Sequence, residues 1–243
     1  MGVTRLKLLV SVVDRTEAIE SVKGGAHIID VKNPKEGSLG ANFPRVIRQI
    51  KEVMPKNIEL SATIGDLPNL PGTASLAALG AAVSGVNYVK VGLFGVKNSE
   101  ESTTLMAEVV QAVKEYDNAL KIIASGYADY KIVGSVNPLE LPLVAHKAEA
   151  DGVLVDLKIK NGRDNIFNFL NNKQLRKFVS NAHDSNLLVA LAGSLDKQDI
   201  PRVHNLNADI IGVRGALCTN KNRLDGKLQR KKVIEFVNKI RDL

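Results

Sequence analysis

Short runs of Val, Ile and Leu recur down the chain at intervals of about 30 residues, and most of them do not alternate with polar residues. They are Leu6 to Val12, His27 to Val31, Ile58 to Ile64, Tyr88 to Phe94, Leu120 to Ser125, Gly152 to Ile159, Leu187 to Ala192 and Ile210 to Val213. Continuous apolar runs mark strands covered on both faces, as in a parallel sheet. Helical patterns fill the gaps. Asp14 and Glu17 bracket a capping box, and Pro44 opens a segment with Val46, Ile47, Ile50 and Val53 at helical spacing. Thr73 to Ser84 is alanine-rich and reads as a buried helix; Ser99 to Tyr116, Pro138 to Ala150, Asn165 to Ala182, Lys197 to Asn205 and Gly226 to Ile240 complete the set. Eight such units in 243 residues match a single-domain (β/α)8 TIM barrel over residues 1–243, with no linker or low-complexity break. An open doubly wound sheet is the competitor, but no GxGxxG follows the first strand and no GxxxxGK[ST] occurs.

Composition removes several function classes. Aromatics are 4% and Trp is absent, so Val, Ile, Leu and Ala must fill the core. The single cysteine, Cys218, cannot form an internal disulfide and reads as an inert thiol, consistent with a cytoplasmic protein. The four histidines share no ligand spacing, so no metal is expected. The N-terminal stretch Met1 to Arg15 carries an apolar run too short to span a bilayer; it reads as a strand rather than a signal peptide, and no membrane partner is expected. The net charge of +7 is spread along the chain without interleaved aromatics, which favours small anionic substrates over nucleic acid. The Thr73 to Ser84 helix fits a barrel helix and a homo-oligomer contact equally well.

Charged residues interrupt the apolar strands. Side chains two apart share a face, and the C-terminal ends of barrel strands face the active site. Asp30 and Lys32 therefore point inward together if Ile29 and Val31 pack on the helices. Lys90 interrupts strand four, and Asp156, Lys158 and Lys160 share an alternating face at the end of strand six. Salt bridges at the barrel mouth are the structural alternative. The functional reading is amine chemistry on a carbonyl: a low-dielectric site and neighbouring cations favour the neutral, nucleophilic lysine, and aspartates move protons. Strand seven ends in Gly193-Ser194 and strand eight in Arg214-Gly215, where barrels hold phosphate. Lys35 and Ser38, in the loop after strand two, are candidates for a second anion site; the loop from Gly65 to Gly72 is a less specific one.

The stretch Asp30-Val-Lys-Asn-Pro-Lys-Glu-Gly-Ser-Leu-Gly-Ala-Asn-Phe-Pro44 resembles the signature of the (5-formylfuran-3-yl)methyl phosphate synthases, also called 4-(hydroxymethyl)-2-furancarboxaldehyde-phosphate synthases, of methanofuran biosynthesis. The resemblance continues in Leu60 to Asp66, Pro71 to Thr73, Val89 to Asn98, Gly126 to Asp129, Ala190 to Ser194 and Gly212 to Ala216, and so covers essentially the whole chain. It implies a TIM-barrel lyase that needs no cofactor and condenses two molecules of glyceraldehyde 3-phosphate, with loss of one phosphate and two waters. It implies Lys32 as the Schiff-base lysine and Lys90 as proton acceptor, with Asp30, Asp156 and Lys160 in support. The chain departs from the family around strand six, where Leu157 and Lys158 stand in place of small uncharged residues, so Lys158 competes with Lys160 for the site. The rival readings are another Schiff-base aldolase acting on phosphorylated carbonyl substrates and a non-catalytic phosphometabolite sensor.

Overall fold

A computed structural model describes residues 6–243. Met1 to Arg5, which begin the stretch read above as a strand rather than a signal peptide, lie outside the described residues. The strands are β1 (Lys7–Val12), β2 (Ile28–Val31), β3 (Glu59–Asp66), β4 (Tyr88–Gly92), β5 (Lys121–Tyr127), β6 (Gly152–Asp156), β7 (Leu188–Leu191) and β8 (Ile210–Val213). All pair in parallel and in chain order, and β8 closes on β1. The helices are α1 (Arg15–Lys23), α2 (Pro44–Lys51), α3 (Pro71–Ala82), α4 (Ser99–Tyr116), α5 (Tyr130–Val133), α6 (Leu141–Lys147), α7 (Asn172–His183), α8 (Ile200–Asn205) and α9 (Arg230–Arg241). Among the described residues no helix is long and apolar enough to cross a membrane.

The period-two alternation divides the core in two. Ile29, Val31, Val89, Val91, Val153 and Val155 face the helices, in the larger apolar cluster. Leu9, Ile28, Tyr88, Ile123, Leu154, Ala190 and Ile210 fill the barrel interior. Toward the C-terminal ends of the strands the inward positions turn polar while staying buried: Ser11, Asp30, Ser61, Lys90, Ser125 and Asp156. Strands β7 and β8 pair only at Ala190–Ile210 and Leu191–Ile211, the shortest register in the barrel.

Several boundaries differ from the sequence reading, for physical reasons. The segment expected as one helix over 165–182 is a 3-10 turn (Ile166–Asn168) followed by α7, because Asn171 and Gln174 form a fresh capping box. Strand β6 ends at Asp156, so Lys158 and Lys160 lie beyond the alternation assumed for them. Asp14 caps α1 as expected, but the Glu17 carboxylate accepts from the Val13 N–H. Helix α3 is not buried all round. Ala74, Ala78 and Ala81 pack inward, whereas Leu76 is 74% exposed. A helix without charged residues gives no sequence signal for which stripe faces out.

Candidate active site

The loop after β2 does not sit at the periphery. It folds over one side of the barrel mouth and is tied down at every turn. The Asp66 carboxylate at the end of β3 accepts from the Ser38 N–H (2.9 Å) and the Leu39 N–H (3.2 Å). The Ser38 hydroxyl donates to the Leu157 carbonyl, beyond β6. Thr63 Oγ1 donates to the Gly40 carbonyl (2.8 Å), and Arg223, beyond β8, donates through Nη2 to the Gly37 carbonyl (3.0 Å). The uncovered part of the mouth is a cleft of about 500 Å³ lined by the ends of β1, β6, β7 and β8 together with Lys32 and Lys90.

Two lysines and two aspartates meet at the base of this cleft. Lys90 Nζ lies 2.8 Å from Asp30 Oδ2, and the same oxygen accepts from Ser11 Oγ at 2.8 Å. Asp30 is fully buried, and its Oδ1 has no hydrogen-bond partner among the described residues. Lys32 is 6% exposed and makes no ion pair among the described residues; its Nζ donates to the Ser38 carbonyl at 3.3 Å. Burial lowers Lys32 to about 7, helped by the nearby Lys90 and Lys160 cations and opposed by Asp156 and Asp30. Burial alone would raise Asp156, but Lys160, Lys32 and the Leu157 N–H outweigh it and hold the carboxyl at about 2. One amine is thus poised to be neutral near pH 7 beside a permanent carboxylate, an arrangement suited to attack on a carbonyl.

The two lysines beyond β6 separate cleanly. Lys160 pairs with Asp156 and lines the cleft. Lys158 turns away, with its Nζ 3.2 Å from Asp66 and 4.6 Å above the Phe94 ring. Its direction is set by Asp129, which accepts from the Lys158 and Ile159 N–H groups.

The phosphate candidates divide. Gly193, Ser194 and Gly215 line the cleft. Gly193 has φ +100°, and an added Cβ would lie 2.2 Å from Ile166, so only glycine fits. Arg214 also lines the cleft, but its guanidinium is engaged: Nη1 donates to Glu17 (2.8 Å) and to the Ser11 carbonyl (3.0 Å), and Nε donates to the Arg223 carbonyl (2.8 Å). It bridges β8 to β1 and α1. Of the residues expected at a second anion site, Lys35 is exposed outside the cleft, and Ser38 is buried with its hydroxyl donating to the Leu157 carbonyl.

Sequence reasoning missed Asp66, Ser11 and Arg223. Asp66 and Arg223 act through loop backbone that no motif announces, and Ser11 is recognisable only by its register pairing with Asp30. Among the described residues no three His, Cys, Asp or Glu side chains group as metal ligands.

Comparison with known proteins agrees over nearly the whole chain. The family model "4-HFC-P synthase" matches residues 8–237. The (5-formylfuran-3-yl)methyl phosphate synthase of Methanopyrus kandleri is 52% identical, covering 93% of this chain and 94% of that one. The enzyme of the same name from Methanocaldococcus jannaschii is 51% identical, covering 94% and 97%. Among solved structures, 3-hexulose-6-phosphate synthase from Salmonella typhimurium superposes with a TM-score of 0.69 at 15% identity, covering 98% of this chain and 99% of that one. Phosphoribosyl anthranilate isomerase from Thermotoga maritima gives 0.66 at 15% identity, covering 98% and 100%. These distant likenesses establish the fold alone, whereas the sequence matches establish the family. This chain is an enzyme that belongs to the 4-HFC-P synthase family.

Proposed function

We propose that the protein is a carbon–oxygen lyase of methanofuran biosynthesis that condenses two glyceraldehyde 3-phosphate molecules into 4-(hydroxymethyl)-2-furancarboxaldehyde phosphate. Two trioses of formula C3H7O6P, less one phosphoric acid and two waters, leave C6H7O6P. The observation that carries this reading is Lys32, a buried amine with no direct ion pair among the described residues, at the base of an open cleft beside the Asp30–Lys90 pair.

Neutral Lys32 attacks the aldehyde carbon, and loss of water leaves an iminium. The iminium acidifies the neighbouring C–H. Lys90 and Asp30, in contact at 2.8 Å, form a relay for that proton, and the unpartnered Asp30 Oδ1 offers a second acceptor position. The resulting enamine carries an electron pair that either expels phosphate from the next carbon or attacks the second aldehyde. Asp156 and Lys160 supply the opposite charge pair for proton movement during dehydration. The glycine-bearing ends of β7 and β8, with Gly193, Ser194 and Gly215, present backbone N–H groups to one phosphate. No metal or organic cofactor is required by this sequence of steps, and the enzyme works in the cytoplasm.

Incubation with glyceraldehyde 3-phosphate, following furan ultraviolet absorption and inorganic phosphate together, tests the reading. Equal amounts of furan and phosphate are expected. Carbon–carbon bond formation without phosphate release would instead identify a reversible aldolase.

A further inference from the structure

The cleft contains more cations than the Schiff-base chemistry uses, and most are already paired. Lys90 pairs with Asp30, Lys160 with Asp156, Arg214 with Glu17 and Lys221 with Asp196. Arg163 is exposed, so water solvates it. Arg223 differs from all of them. It is half-buried in the cleft wall, and no carboxylate lies within ion-pair distance of it among the described residues. Its guanidinium donates to two backbone carbonyls, Gly37 at 3.0 Å and Pro34 at 3.5 Å. Two of its five N–H groups are thereby used, and the remainder are available to a ligand in the cleft. A partly desolvated guanidinium without a counter-anion is costly to keep, and a phosphate dianion is the ligand its planar fork fits best.

Its position narrows the choice of phosphate. Lys32 Nζ donates to the Ser38 carbonyl and Arg223 Nη2 to the carbonyl of the preceding residue, Gly37. Neighbouring residues along a chain are 3.8 Å apart, so the amine and the guanidinium lie within roughly 10 Å of each other, close to the reach of a three-carbon phosphate ester. Arg223 starts beside the turn after β8, where a Cβ on Gly215 would lie 3.7 Å from the Arg223 Cβ, and its side chain runs from there to the loop after β2.

We propose that Arg223 is the phosphate clamp for the triose whose aldehyde carbon is carried by Lys32, forming an anion subsite where its guanidinium meets the loop after β2. This rests on the Schiff-base reading for the identity of the ligand, but not for the existence of the subsite. Because the same guanidinium ties down the loop that buries Lys32, an occupied subsite also holds that loop closed. Burial draws Arg223 below its ordinary value, opposed by Asp156 and Asp66, and a bound dianion relieves that penalty.

Calorimetric titration with inorganic phosphate tests the subsite directly in wild type, Arg223→Ala and Arg223→Lys. Loss of one charge-assisted fork is expected to weaken one phosphate site by about 10–100-fold in Arg223→Ala. Arg223→Lys keeps the charge and can still bond one loop carbonyl, so it separates loss of the fork from loss of the fold; it is expected to weaken the same site about tenfold. Borohydride trapping assigns the ligand. Glyceraldehyde 3-phosphate should be trapped at much lower concentration than unphosphorylated glyceraldehyde by wild type, and that advantage should shrink in both variants while glyceraldehyde trapping persists. Unchanged phosphate affinity in both variants overturns the proposal whatever the trapping shows. Absence of any adduct in wild type overturns the Schiff-base reading instead, and the phosphate affinities still decide the subsite.

Discussion

In the proposed mechanism Lys32 is held between opposing demands: it must be buried enough to lose its proton, yet its nitrogen must face the cleft. Between pH about 7 and 10.5 the unfolded chain binds a proton that folded Lys32 does not, so stability attributable to this residue rises with pH across that window and is at its lowest below it. Lys32→Met is therefore expected to abolish turnover while stabilising the fold, by roughly 3 kcal/mol more at pH 6 than at pH 9; urea unfolding at the two pH values measures this. Adduct formation should show an acid limb near pH 7, where the neutral amine is lost. Asp30 and Lys90 behave as a unit. Either Asp30→Asn or Lys90→Met leaves one buried charge uncompensated and should cost about 3–5 kcal/mol, while the double variant should cost clearly less than the sum. These residues were legible in the sequence because a strand has only two faces, so a charge among valines at fixed parity has to point inward. The alternation stops with the strand. At Lys158 and Lys160 parity placed both in the site, whereas the Asp129 carboxylate and the Phe94 ring decide which one goes there.

At the scale of the element, the loop after β2 is the component that covers one side of the barrel mouth and buries Lys32. Its fixed points come from three separate regions, β3 and the segments after β6 and β8, and Asp66 receives two successive N–H groups of the turn that offers the Ser38 carbonyl to Lys32. Gly37 is at φ +143°, and a Cβ there would fall 2.1 Å from Asp66 Oδ2. Gly37→Ala is thus expected to push Asp66 off the turn. Hydrogen exchange should then rise at the Ser38 and Leu39 amides while the β7 amides stay protected, and the acid limb of adduct formation should move to higher pH as water reaches Lys32. Little of this was readable in advance. A polar, glycine-bearing stretch announces a loop but not the direction in which it folds, and Lys35 and Ser38 drew attention by residue type although one stays in solvent and the other is consumed by Leu157. The pairing of Arg214 was hidden in the same way: its buried partner Glu17 lies far off along the chain, where spacing carries no signal.

For the whole molecule, the eightfold recurrence of apolar runs was enough to give strand number, order and closure, because a parallel barrel buries both faces of every strand. It gave no information about α3, whose uncharged surface leaves Leu76 exposed, with Val83 exposed just beyond its end. The net charge of +7 acts at this scale as well. A basic cleft taking up phosphate dianions should lose affinity as salt screens it, so KM for glyceraldehyde 3-phosphate should rise several-fold between about 0.05 and 0.5 M salt, with kcat nearly unchanged. The decisive measurement is reductive trapping: borohydride added during turnover of glyceraldehyde 3-phosphate, followed by peptide mapping. A single adduct on Lys32, absent from Lys32→Met, is the predicted result; an adduct on Lys90 or Lys160 with Lys32 unmodified, or turnover by Lys32→Met at the wild-type rate, would contradict it.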